Sequence, residues 1–472
     1  MEFGHTTMRQ VITANDNVLV LGTSQGALWV AGKRQEVYRL DATTRRWKTF
    51  ENLNFQCESL DGLEWFVDHE GAVVSEQQDQ WLKYDKSDGM IQTAVAIIRV
   101  KQGGVFVTGS HEGLSACAWF DGARWHRKQF SELGATAEPR ALFQAADGTI
   151  WIGSHLDEIH EEEFRGWVRV TLPASAGDEM AFEQFPPPVT QTEVCYGIGQ
   201  TADGNLWFAG RRLWKYDGAH WSEVAGVPEL NSSIKDWLRV MPGGSLWVGT
   251  RSFGIFEFDG SRWQQHSTEN GLISNRIVSI ATAGLNRTWV ATDKDCSVFD
   301  GQQWTNSVLP QALTMSRETG DLRCMEDGSI WINRFPYKWF EANIYGELSE
   351  PSDVPFRTFR FTPDQQGPKT CITLVQDQVA PPGNLLVQWK GADAQRVTEE
   401  HQLQYSWRLD KEPWSLFSPE TAQVLLSVPS GEHRLEVRAR DSDLNVELIP
   451  VAADFTVLAP VWRQAWFVLT IL

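Results

Sequence analysis

A chain of 472 residues is too long for one ordinary domain, and with 42% hydrophobic residues it can bury a sizeable core. Its net charge of −19 opposes nucleic acid and anionic membrane surfaces, both of which would repel it. The outlier in the composition is tryptophan: 23 copies of the most area-rich core residue point to a repeated structural role.

From the N-terminus, Met1 to Val20 mixes His5, Arg9, Asn15, Asp16 and Asn17 with apolar residues and contains no continuous apolar segment of a secretion signal. A repeat then begins. A glycine-containing turn is followed by an apolar residue, an aromatic and another apolar residue. It reads Leu28-Trp29-Val30, Glu64-Trp65-Phe66, Val105-Phe106-Val107, Ile150-Trp151-Ile152, Leu206-Trp207-Phe208, Leu246-Trp247-Val248, Thr288-Trp289-Val290 and Ile330-Trp331-Ile332. Successive aromatics are 36, 41, 45, 56, 40, 42 and 42 residues apart, and all but one of these intervals are close to the blade period of a β-propeller. The 56-residue interval after Trp151 holds an acidic run and Pro186-Pro187-Pro188, so it is expected to carry a protruding loop.

Each unit has a second half, in which an Asp-Gly turn precedes another tryptophan. Asp121-Gly122 leads to Trp125, Asp217-Gly218 to Trp221, Asp259-Gly260 to Trp263 and Asp300-Gly301 to Trp304; Trp47, Trp81 and Trp167 fit this slot more loosely. Asp-Gly supplies the positive φ that tight hairpins need, and short apolar strands between such turns make antiparallel meanders. One meander cannot bury both faces; radial stacking of several can. A buried indole removes about 150–250 Å² from water, an upper bound of about 4–6 kcal/mol each. The sixth unit divides into strands near Leu238–Met241, Ser245–Thr250, Gly254–Phe258 and Trp263–His266. Eight units imply eight blades, with seven blades and one stray unit as the alternative.

Beyond the repeats, Leu385–Trp389, Gln404–Leu409, Val424–Val428, Arg434–Arg440 and Ala453–Val457 are strand-like runs bounded by Pro, Gly and Asp, the pattern of a sandwich. The change of pattern falls between Tyr345 and Gly367. The chain closes on Ala465-Trp466-Phe467-Val468-Leu469-Thr470-Ile471-Leu472, an apolar run too short to span a bilayer as it stands.

Two stretches carry a family resemblance. Asn270-Gly271-Leu272-Ile273-Ser274-Asn275-Arg276-Ile277-Val278, followed by Thr288-Trp289-Val290-Ala291-Thr292, resembles the repeat of two-component regulator propellers. Tyr405-Ser406-Trp407-Arg408-Leu409-Asp410, Trp414-Ser415, Pro429-Ser430-Gly431-Glu432-His433 and Val437-Arg438-Ala439-Arg440-Asp441 resemble the immunoglobulin-like module that follows such propellers, the Y_Y_Y domain. His433 departs from it, standing where that module usually has an aromatic residue, and of its namesake tyrosines only Tyr405 can be placed. Pro460-Val461-Trp462-Arg463 resembles the module's exit into a membrane helix.

The expected organisation is all-β: a propeller over 1–345, a linker or last propeller strand over 346–366, an immunoglobulin-like β-sandwich over 367–458, and the truncated start of a possible membrane helix over 459–472. The resemblance implies a non-catalytic, extracytoplasmic (periplasmic) sensing region of a two-component signalling protein. Its propeller would bind a solute such as an oligosaccharide. Its sandwich would dimerise and relay the signal to a membrane helix, and the output kinase or cyclase would lie outside this chain, which reads as a portion of a longer protein. Propellers also serve lyases and glycosidases, and protein-binding scaffolds, so these are the alternatives.

No residue is assigned a catalytic, cofactor, metal or ligand-binding role. Cys57, Cys117, Cys195, Cys296, Cys324 and Cys371 make no C-x-x-C pair. His155, Glu158, His160 and Glu161 to Glu163 are metal-capable residue types but read as a solvated loop, as do His111 and Glu112. Arg211 and Arg212 follow Gly210 at a strand end and could meet an anion, with surface solvation as the simpler reading. There is no nucleophile elbow, P-loop or dinucleotide fingerprint, and the Asp-Gly turns lack calcium-loop spacing.

Overall fold

The computed structural model describes residues 53–472 except 78–79, 131–136, 155–165, 174–178, 187, 189–192, 284–286, 307–320, 326–328, 335–356, 363–365, 394–397, 461 and 463–472; between residues 1 and 52 it describes the backbone of six strands. The chain is all-β and divides into two compact units, Met1–Thr362 and Pro363–Leu472.

Most of the first unit is a run of four-stranded antiparallel meanders. Six of them span 53–84, 93–129, 137–185, 197–223, 235–266 and 277–306. A seventh takes three strands from 321–361 and its fourth from Trp47–Glu51, paired from Arg357↔Glu51 to Phe361↔Trp47. Neighbouring sheets pack in succession, and the seventh packs back on the first, so these sheets form a propeller ring.

Closure corrects the eight-blade expectation. The Trp29 unit belongs to a separate five-stranded sheet, Glu2–Phe3 to Val37–Asp41, whose strands, among the described residues, pair with one another and not with the ring. The strand that follows it, Trp47–Glu51, supplies the hydrogen bonds that the open edge of the seventh sheet needs, and a covered edge is what stops a sheet from pairing elsewhere. The ring therefore contains the seven later units.

The closing seam is built from both kinds of interaction. Phe55 stacks on Trp331 with ring centroids 3.8 Å apart. Beside them, Phe55 N donates to Asn333 Oδ1 at 3.1 Å and Asn333 Nδ2 donates to Phe55 O at 2.9 Å. Thr358 Oγ1 donates to Leu53 O at 2.7 Å.

The repeat aromatics Trp65, Phe106, Trp151, Trp207, Trp247, Trp289 and Trp331 all lie on second strands and all are buried. They sit between sheets: Trp151 packs with Ile198 and Phe208 of the next meander, and Trp207 with Leu238 and Val248 of the one after. The glycine after the aromatic is explained by the same approach. A β-carbon at Gly153 would lie 2.6 Å from Cys195 Cβ, and one at Gly249 would lie 2.8 Å from Ile277 Cγ2.

Trp47, Trp81, Trp125, Trp221, Trp263 and Trp304 stand on fourth strands, and Trp81 is half-exposed. Trp167 does not: it lies on a third strand, opposite Phe185 of the fourth. In the sheet from 235 to 266 the inner strand is Lys235–Val240, so it starts three residues before the expected Leu238.

The second unit has two sheets, Lys369–Leu374 with Leu385–Ala392 and Ala422–Leu425, and Gln378–Val379 with Val451–Val457, Gly431–Arg440 and Gln404–Leu409. Period-two burial along Leu385–Ala392 turns Leu385, Val387 and Trp389 inward. They meet Tyr405, Leu435, Val437 and Phe455 of the other sheet in a single apolar core.

Candidate functional site

Strand direction alternates within each meander, which sorts the ring's connections onto two faces. The turns from first to second and from third to fourth strands share one face. The second-to-third turns and the connections between sheets share the other.

The first face is tight and self-satisfied. Gly62 N bonds Ser59 O, and Gly148, Gly204 and Gly244 bond back to the third residue before them in the same way. Each of these glycines has a φ of 81–88°, the geometry of a three-residue hairpin loop. In the Asp-Gly turns only the glycine is left-handed; the aspartate acts through its side chain. Asp259 Oδ1 accepts Ser261 N at 2.8 Å and Arg262 N at 2.9 Å, and Asp121, Asp217 and Asp300 do the same. Carboxylates spent on their own turns are not offered to a ligand.

The second face collects buried charge around the sheets 197–223 and 235–266. Lys235, fully buried at the start of its inner strand, donates its backbone N to Gly210 O at 2.9 Å and its Nζ to Arg211 O at 2.6 Å. Burial, with Arg212 adding to it, lowers the Lys235 ammonium to about 8, against the opposing pull of Glu193 and Glu223. Arg212 pairs with buried Glu193 Oε1 and lies 3.5 Å from Glu223 Oε1.

Next along the same strand, the pairing register shifts between Lys235 and Trp237, which sets Asp236 in a β-bulge. Bulges re-aim a side chain, and here the carboxylate meets Arg251 in a two-pronged pair, Nε to Oδ2 at 2.6 Å and Nη2 to Oδ1 at 2.9 Å. The Arg251 guanidinium also lies over the Tyr196 ring at 5.7 Å. Equivalent register shifts occur between Phe55 and Cys57, Ala94 and Ala96, and Ile277 and Ser279, where the extra residues, Gln56, Val95 and Val278, carry no charge.

Burying ions costs several kcal/mol apiece unless they are paired and hydrogen-bonded, so buried Lys235, Glu193 and Asp236, with half-buried Arg212 and Arg251 beside them, call for a reason. Each of these ions has a partner in the contacts above. Glu193 keeps one oxygen spare: its Oε2 is buried and accepts no hydrogen bond among the described residues. It is an acceptor that fits a hydroxyl or a water. The set has donors, acceptors and balanced charge, but no hydroxyl or thiol nucleophile beside a base, and among the described residues no group of three metal-capable side chains occurs.

Arg212 thus belongs to the cluster, whereas the Arg211 side chain is exposed and contributes its carbonyl. Glu193, Lys235, Asp236 and Arg251 went unread in the sequence. The available signal was the charged pair Lys235-Asp236 opening an otherwise largely apolar run. His111 ends a second strand on the same face; its Nδ1 is buried with no hydrogen bond among the described residues, and burial first, then Arg127, holds its ring below the ordinary histidine range. Glu112 follows it with φ 52°. Residues 155 and 158–163, and Pro187 within the triple proline, lie outside the described residues.

A scan of the sequence against known protein families finds no match, and neither does a search of curated proteins. Solved structures do resemble the fold. The extracellular domain of a hybrid two-component system from Bacteroides thetaiotaomicron aligns with 96% of this chain and 68% of its own, at TM-score 0.50 and 12% identity. That of a one-component system from the same organism covers 97% and 74%, at TM-score 0.31 and 14% identity. Virginiamycin B lyase from Staphylococcus aureus covers 67% and 98%, at TM-score 0.46 and 9% identity. The first of these likenesses extends over both units and is a likeness of fold.

Proposed function

We propose that this chain is a non-catalytic, extracytoplasmic ligand-sensing region of a two-component-type signalling protein. The propeller takes a solute, such as an oligosaccharide, on the face that carries Glu193, Arg212, Lys235, Asp236 and Arg251. The second unit acts as an immunoglobulin-like, Y_Y_Y-type relay, self-associating and passing the signal to a membrane helix. The observation that carries this reading is the cluster itself: buried Lys235, Glu193 and Asp236, two arginines paired to the carboxylates, and one unfilled acceptor with no nucleophile–base pair among these residues. Rigid, paired donors and acceptors on an otherwise apolar scaffold suit recognition of hydroxyl-rich ligands. The fold likeness over 96% of the chain to an extracellular domain of a two-component system supports the same reading.

The test is a glycan-array screen of the full chain, followed by calorimetry on each hit. Binding that drops at least about tenfold in Glu193→Gln and Arg251→Ala, with the glycan recovered intact, supports the proposal. Cleavage of the bound glycan would move the protein to the enzymes, and binding insensitive to both substitutions would remove this face from consideration.

A further inference from the structure

His433 lies near the start of the strand Gly431–Arg440 with both ring nitrogens against oxygen acceptors. Nδ1 is 2.9 Å from Asp410 Oδ2, and Nε2 is 2.8 Å from Pro429 O. A backbone carbonyl can only accept, so Nε2 must carry a proton to make its bond. The Asp410 carboxyl is held below its ordinary range: burial works against this, and the Arg434 N–H and His433 outweigh it. It too accepts, so Nδ1 must carry a proton as well. Both bonds exist together only in the imidazolium form.

The two acceptors belong to different turns. Asp410, left-handed at φ 54°, follows the strand Gln404–Leu409; its N–H donates to Arg434 O at 2.7 Å and its Oδ1 accepts Arg434 N at 2.9 Å. Pro429 closes the segment after Ser427, also left-handed at φ 54°, which is tied to Gly383 through Val428 N. Other charges nearby are engaged elsewhere or exposed: Arg434 pairs with Asp454 of the strand Val451–Val457, and Lys411, Glu412 and Glu432 are exposed, with no hydrogen bond to the ring among the described residues. From that same strand, Phe455 packs on the imidazole at 5.5 Å.

We propose that His433 is a pH-sensitive clamp within the second unit, tying the turn at Asp410 to the segment at Pro429 when its ring carries two protons and releasing one of these ties when it carries one. The ring's affinity for the second proton is raised overall: burial opposes it, and the Asp410 and Pro429 contacts outweigh burial. A raised folded-state pKa places the full stabilisation below the ordinary value of 6.5, with loss as pH rises through the folded value. Acidification therefore tightens this end of the unit.

Hydrogen–deuterium exchange on the full chain, at about pH 5.5 and about pH 8.5 and corrected for intrinsic rates, tests the clamp. Peptides spanning 409–415 and 427–434 should lose about three- to tenfold of their protection on going to the higher pH. His433→Gln should abolish that difference. Asp410→Asn, which keeps a residue tolerant of the left-handed turn, should lower the His433 titration midpoint read from imidazole ¹⁵N shifts. Protection that is flat with pH in the native chain, or equally pH-dependent in His433→Gln, overturns the proposal, as does a midpoint that Asp410→Asn leaves unmoved.

Discussion

In the ring, each apolar cluster is shared by two neighbouring sheets: Trp65 and Val67 pack with Ile97 and Val105, Trp151 with Ile198 and Phe208, and Phe55 and Phe66 with Trp331. In the second unit, one cluster running from Val379 to Val457 takes side chains from both sheets at once. The ring is a chain of small cores closed on itself, and the second unit is one core. A lost side chain in the ring should loosen one seam, whereas a loss in the second unit should be felt by all of it.

The closing seam is where this contrast breaks most sharply, because it joins strands some 300 residues apart in sequence. Trp331→Ala removes the ring stacked on Phe55 and is expected to cost about 4 kcal/mol, with early exchange confined to 47–84 and 321–361. If urea unfolding shows no loss, the indole is not holding the ring shut. Leu435→Ala, in the single core, should cost about 3 kcal/mol and raise exchange throughout residues 369–457. Exchange limited to its own strand would erase the distinction between the two units.

Lys235 offers a smaller test with a defined sign. Its ammonium titrates near 8 in the fold, against the ordinary 10.5. Between those values the unfolded chain holds a proton that the folded chain has lost, so the penalty of burying it shrinks as pH rises. After allowing for the lost bond to Arg211 O, Lys235→Met should stabilise the ring by about 1–2 kcal/mol at neutral pH, and by less near pH 10. A gain that does not depend on pH would mean that the lysine titrates normally. Smallest of all, Asp259→Ala removes two backbone acceptor contacts from an exposed turn and should leave the melting temperature almost unchanged. A large fall in melting temperature would mean that the turns hold the sheets together rather than merely joining them.

Much of the architecture was legible because its signals are local and periodic. The aromatic of each second strand, the glycine after it and the turn glycines lie within a few residues of one another, so their spacing shows in one dimension. The strands Gln404–Leu409 and Leu385–Ala392 were readable for the same reason, from alternation and punctuation. Trp167 was misplaced because an aromatic after a long insertion carries no mark of which strand it belongs to. The charge cluster was missed for a different reason. Glu193, Arg212, Lys235 and Arg251 come from four separate segments, and nothing about a lone charged residue in a connection tells whether it faces water or another charge.

By itself, then, the order of residues determined the strand-turn grammar, the buried indoles and the all-β class, since each follows from propensity and burial over a few neighbouring positions. Only the tertiary structure decided how many sheets enter the ring, which strand completes the last of them, and where buried charges meet. Those outcomes depend on pairing between segments far apart in the chain, where a hydrogen-bonding edge or an ion is satisfied by whichever partner the closed fold brings to it.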